Sequence, residues 1–146
     1  MLEVKGKSNF DVMTKLTSPS GLVSNTNCVR QGEVHNIEGM DSANTSYIRL
    51  INIGSTTLEN IRGTLYGSDG EPVGRENQIL FSSLVPKQQV WVNREDLSEI
   101  VSESWNGEAM LRIESPPETL RLLNLNLIND ETFFNFSCYE KAERLR

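Results

Sequence analysis

Histidine is almost missing from this chain of 146 residues, and cysteine and proline are scarce: one His, two Cys and five Pro. A lone imidazole removes most of the constellations that hydrolases and zinc proteins assemble. A tetrahedral metal site draws on several His, Cys or carboxylate ligands, and a catalytic triad needs its base held by a third group. No GxSxG elbow, HExxH, P-loop or GxGxxG stretch occurs. No apolar run approaches the roughly 20 residues of a membrane-spanning helix, and the stretch from Met1 to Phe10 lacks the apolar segment of a signal peptide. Excess positive charge is lacking as well. Lys and Arg total 14 against 20 Asp and Glu, a net charge of -6, and that balance opposes binding to a phosphate backbone. Nucleic acid, a membrane span and a cofactor are therefore not expected.

What is present is enough chain for one domain with its own core, since about 70% of the unfolded surface is buried at this length. Short segments rich in β-branched and aromatic residues alternate with turn signals. Thr45 to Gly54 is the densest, with Ile48 and Leu50 on one face and Tyr47, Ile51 and Ile53 on the other. Apolar groups on both faces predict a central strand, and Arg49 in its middle predicts a snorkelling cation or part of a binding groove. Asn60 to Gly67 predicts the next strand, with Gly63 leaving space for a facing aromatic, and Asp69-Gly70 predicts a type I′ hairpin. Strands follow near Pro72 to Arg75, Gln78 to Val85 and Gln88 to Asn93.

Asn93 has the character of a helix N-cap, with Glu95 and Asp96 in the first turn and Leu97, Ile100 and Val101 along one face. Glu108 to Glu114 alternates with Ala109, Leu111 and Ile113 inward. Thr119 to Ile128 carries leucines in both phases and predicts a bulge or burial on two sides. Thr132 to Cys138 closes the set, with Phe134, Phe136 and Cys138 in phase. Cys28 to Glu38 predicts an edge strand in which Val34 and Ile37 both face inward only across a bulge. The expected organisation is an N-terminal arm over residues 1–27, a β-sandwich over 28–139 and a charged tail over 140–146. The fold class is all-β, an antiparallel sandwich with one short helix, with an eight-stranded barrel as the alternative.

His35, with Glu33, Glu38 and Asp41 near it in sequence, allows an acid/base pair or a one-histidine metal site to be drawn; a partly exposed strand histidine is the commoner outcome. Trp91, Tyr66 and Arg49 are the candidate ligand-binding residues, with Tyr47 and Trp105 as further aromatic surface, because aromatic faces stack on sugars and dominate interface hot spots. Packing within the sheets is the competing explanation for those rings. Cys28 and Cys138 allow either two thiols or a bridge closing a loop of about 110 residues, worth about 4–5 kcal/mol in the chain-entropy view.

Three segments together carry a resemblance: Thr45-Ser46-Tyr47-Ile48-Arg49 with Asn52-x-Gly54, Gly63-Thr64-Leu65-Tyr66 with Asp69-Gly70, and Asn124 ahead of Asn135-Phe136-Ser137-Cys138. Over residues 28–139 the order resembles poorly characterised bacterial immunoglobulin-like β-sandwich modules of exported or surface proteins. The resemblance implies an immunoglobulin-like sandwich and a bridge between Cys28 and Cys138. The chain departs from that pattern at Pro86-Lys87, where a turn glycine is usual. The expected function is a non-catalytic interaction or structural module with a protein or glycan partner. Its expected location is secreted or at the cell surface if a signal was removed, and otherwise cytoplasmic. A carbohydrate-binding module and a small hydrolase or metal enzyme centred on His35 are the alternatives.

Overall fold

Among the described residues, alternating apolar and polar positions build ten strands and one helix. The computed structural model describes residues 31–115 and 117–135, together with the backbone of β1 (Lys15–Thr17) and β2 (Val23–Asn25). The remaining elements are β3 (Glu33–Glu38), β4 (Thr45–Asn52), β5 (Leu58–Tyr66), β6 (Pro72–Leu84), β7 (Gln89–Asn93), α1 (Arg94–Val101), β8 (Glu108–Ile113), β9 (Leu120–Ile128) and β10 (Thr132–Asn135). Cys28, Phe136, Cys138 and the charged tail lie outside the described residues, as does most of the N-terminal arm.

Two four-stranded antiparallel sheets, β3-β8-β5-β6 and β10-β9-β4-β7, make the sandwich, and β1 and β2 pair separately. Neither sheet closes into a barrel, so the alternative architecture is set aside. The pairs are nested: β5 with β6, β4 with β7, β3 with β8. A long hairpin folded over itself gives this nested winding, an order that the immunoglobulin resemblance does not by itself imply. Between the sheets lie Ile48, Leu50, Leu65, Leu84, Leu111, Leu120 and Leu122, all fully buried. Each such side chain contributes roughly 1.5–3 kcal/mol relative to an exposed one.

The bulge in β3 falls between Val34 and Ile37, and both are buried as that phase change requires. Asn36 turns the chain there with φ of 58°. β9 pairs with β4 in unbroken register from Leu120 to Leu127, so its two leucine phases reflect burial on both faces. The segments expected near 72–75 and 78–85 are one bent strand, β6, with positive φ at Gly74 and Asn77. A Cβ at Gly74 would sit 2.5 Å from the Val101 carbonyl, so the close approach of β6 to the end of α1 requires glycine.

Two local expectations are corrected. At the β5–β6 turn only Gly70 has positive φ, and its N–H donates to the Gly67 carbonyl at 3.0 Å. That is a type I turn closed by a glycine bulge, not a type I′ turn, which needs positive φ at both central residues. The space at Gly63 is filled by Leu80, Ile113 and the Arg112 carbonyl, so aliphatic groups and backbone stand where an aromatic was expected. At the turn after Pro86, Lys87 itself takes φ of 66°, the backbone state usually served by glycine, and its Nζ donates to the Ile53 carbonyl at 2.9 Å.

Helix α1 starts as its sequence dictates. The Asp96 N–H donates to Asn93 Oδ1 at 2.8 Å and the Asn93 N–H donates to Asp96 Oδ2 at 2.9 Å, a closed capping box. Leu97 and Val101 are buried and Ile100 packs beside them. Next to the cap, Arg94 Nη1 donates to the carbonyls of Gly39, Ser42 and Asn44, which pins the β3–β4 turn. Its Nε donates to Glu95, and this bond holds the Glu95 carboxyl below the usual carboxylate range.

A polar seam joins the two sheets. Asn124 Nδ2 donates to the carbonyls of His35 and Asn36 at 2.7 and 3.0 Å, and Asn126 Nδ2 donates to Asn36 at 2.8 Å. Ser46 Oγ donates to Asn126 Oδ1 at 2.7 Å and accepts from the Glu38 N–H at 2.8 Å. Asn124, Asn126 and Ser46 are buried; the two asparagines satisfy the carbonyls that the β3 bulge removes from the ladder, and Ser46 takes the Glu38 N–H.

Candidate functional site

The two faces of the β10-β9-β4-β7 sheet follow from strand parity. Ile48 and Leu50 point into the sandwich, so Tyr47, Arg49 and Ile51 point away from it. Register then places Trp91, Arg49 and Leu123 in one row across β7, β4 and β9, with Asn93, Tyr47 and Leu125 in the next. Phe133 on β10 stands opposite Leu127. Tyr47, Trp91, Leu125 and Phe133 together line an open concavity of about 190 Å³. The Tyr47 and Phe133 rings meet at 6.3 Å between centroids with a 57° tilt, within the range of favourable aromatic pairing. Trp91 is 43% exposed, unusual for a side chain with so much apolar surface to hide.

Arg49 lies beside this concavity. Its guanidinium carbon is 5.3 Å from the Trp91 ring centroid, a cation–π distance, and its Nη2 donates to Gln89 Oε1. Its Nε is buried and has no acceptor. Burial lowers the Arg49 pKa from its ordinary value, yet a guanidinium stays charged at any physiological pH. No carboxylate among the described residues forms an ion pair with it. The site is thus an apolar hollow with one positive charge at its rim.

Of the three residues expected to bind a ligand, Arg49 and Trp91 come together and Tyr66 does not. Tyr66 ends β5 in the other sheet, opposite Pro72 and Met110. Tyr47 and Phe133 stand beside Trp91 instead. Trp105 belongs to the core, and its Nε1 donates to the Ile37 carbonyl at 3.4 Å. The parity of β4 already put Tyr47 on the face of Arg49; nothing in the sequence pairs β4 with β7 or brings Phe133 across from β10.

Of the neighbours expected around His35, Glu33 stays beside it, whereas Glu38 and Asp41 are engaged elsewhere. His35 Nε2 lies 3.3 Å from Glu33 Oε1, with both side chains more than 40% exposed. Glu38 Oε1 accepts from Asn44, and Asp41 Oδ1 accepts from the Gly107 N–H. Among the described residues no group of three His, Cys, Asp or Glu side chains converges as metal ligands require. No helix there is long and apolar enough to cross a membrane. Compared with known proteins, the chain matches no family model, no curated protein and no solved structure.

Proposed function

We propose that this protein is a non-catalytic interaction module, and that the hollow between Tyr47, Trp91, Leu125 and Phe133 receives an apolar side chain of a protein partner. The observation that carries this reading is Trp91, left 43% exposed at the edge of an apolar concavity with the guanidinium of Arg49 beside it. Trp, Tyr and Arg are the residue types that dominate interface energetics, and they do so when clustered around a pocket. At about 190 Å³ the hollow is smaller than the roughly 300–1,000 Å³ of small-molecule sites. Its size suits one side chain. Arg49, with no carboxylate paired to it among the described residues, favours a partner segment in which that side chain adjoins an Asp or Glu.

A carbohydrate partner is the second reading, favoured by the exposed indole face. A sugar ring brings hydroxyls that need hydrogen-bond partners, and the described lining residues offer little beyond ring and aliphatic surface. Placement in a bacterial secreted or surface protein rests on the sequence resemblance alone. Panning a random peptide library on the intact chain, with a glycan array in parallel, separates the readings. The expected result is enrichment of peptides with an aromatic or leucine next to an acidic residue, lost in Trp91→Ala and weakened in Arg49→Gln. Glycan binding that depends on Trp91 would favour the second reading, and binding by neither library would sink both.

A further inference from the structure

Among the described residues β7 is the last strand of its sheet, and it leaves main-chain groups unpaired there. The Asn52 N–H donates to the Gln88 carbonyl at 3.0 Å, so alternation along the antiparallel ladder turns the N–H and C=O groups of Val90 and Val92 towards β4 and those of Gln89 and Trp91 away from it. Asn93 keeps the same phase, and its outward N–H is taken by Asp96 Oδ2. Gln89 and Trp91 are both exposed. Edge strands are commonly guarded by bulges, charges, glycine or proline. In the other sheet both edges are guarded: β3 carries its bulge at Asn36, and β6 slips register against β5 with positive φ at Gly74 and Asn77. β7 has no charged residue, glycine or proline and pairs with β4 in unbroken register.

We infer that β7 pairs with β7 of a second copy of this chain, antiparallel about a two-fold axis at Val90. That register sets Gln89 of each copy opposite Trp91 of the other, so the free N–H groups of one copy meet the free carbonyls of its neighbour with none left over. Val90, on the inner face and only partly buried at the rim of the core, meets its own counterpart in a close β-branched pair. On the outer face the two Trp91 rings become diagonal neighbours. Charge agrees with the antiparallel sense. Lys87 precedes β7, and Glu95 and Asp96 follow it in the first turn of α1, so the lysine end of each copy lies beside the acidic end of the other. Parallel pairing would set like charges together. The contact is isologous and closes at two copies. It joins two four-stranded sheets into one, with both hollows opening on the same side. The inference does not rest on what the hollow receives, because the groups that pair are main chain.

A contact this short belongs with the weaker, transient interfaces, so the intact chain is followed by sedimentation velocity from about 10 μM to about 1 mM. The mass is expected to rise from one chain towards two, and amide exchange at Gln89 and Trp91 is expected to slow several-fold over the same range. Gln89→Pro removes an outward N–H that β4 does not use and is expected to weaken the dimer about tenfold or more, whereas Gln89→Ala keeps that N–H and leaves the dimer intact. A single-chain mass throughout overturns the inference. So does a dimer that slows exchange elsewhere but not at Gln89 and Trp91, or one that Gln89→Pro leaves unchanged. Should the proline variant fail to fold, the exchange measurement on the unsubstituted chain decides alone. A monomer that still selects peptides through Trp91 removes the dimer and leaves the reading of the hollow standing.

Discussion

The inner and outer faces of the β10-β9-β4-β7 sheet are made from the same strands and both carry large apolar side chains, yet they differ in what they meet. Inside, Ile48, Leu50, Leu120 and Leu122 meet the opposite sheet, and the asparagine seam ties β9 to the β3 bulge. Outside, Leu123 and Leu125 are buried while Trp91 stays open beside Arg49, which pairs with no carboxylate among the described residues. Hydrophobicity alone does not distinguish the two faces. The difference lies in what each face has opposite it: the inner face meets a whole sheet, and the outer face leaves Trp91 in water.

Substitutions can widen or erase that contrast. The largest effect is expected inside: Leu50→Ala or Leu122→Ala leaves a cavity between the sheets and should lower stability by about 2–5 kcal/mol in urea unfolding. A loss under about 1 kcal/mol would mean the inner face is not the core. Next comes the seam. Asn126→Ala removes the donor to the Asn36 carbonyl and the acceptor for Ser46, a cost of about 1–3 kcal/mol, and amide exchange should quicken along β3 before the rest of its sheet.

On the outer face Trp91→Ala should cost less than about 1 kcal/mol, because the side chain is already half in water, while abolishing peptide binding. A stability loss as large as that of Leu50→Ala would make Trp91 a core residue and erase the contrast. The smallest effect lies away from both faces, at Glu95. Its carboxyl pKa is lowered in the folded protein by the Arg94 hydrogen bond, so its stabilisation is present above the ordinary carboxylate range and fades as pH falls through the lowered value. Glu95→Gln should therefore flatten the acid limb of the stability profile slightly and leave neutral-pH peptide binding untouched.

Much of this architecture was legible because it is local. The capping residues Asn93 and Asp96, the inward set Ala109, Leu111 and Ile113, and the bulge that Val34 and Ile37 demand all follow from periodicity and hydrogen-bond chemistry within a few residues. The two leucine phases of β9 left a bulge or burial on both sides open, and the unbroken register with β4 shows the second. What could not be read is long-range. The nested winding, the pairing that sets Trp91 beside Arg49, and the arrival of Phe133 from 86 residues beyond Tyr47 depend on which strands meet, and a strand's own sequence states its faces but not its neighbours. Tyr66 was drawn into the candidate site for the same reason: its parity was right and its sheet was not. The asparagines Asn124 and Asn126 alternate with leucines as though they lined an exposed face, and only the carbonyls stranded by the β3 bulge explain why they are buried.

The claim that the outer face is a binding surface has a direct measurement. The intact, isotopically labelled protein is titrated with a capped pentapeptide in which a phenylalanine follows an aspartate, and separately with the asparagine counterpart, and amide and indole resonances are followed by NMR. The account predicts shifts concentrated at Tyr47, Arg49, Trp91, Leu125 and Phe133, larger with the aspartate peptide. Shifts centred on His35 or Tyr66, or none at millimolar peptide, would contradict it.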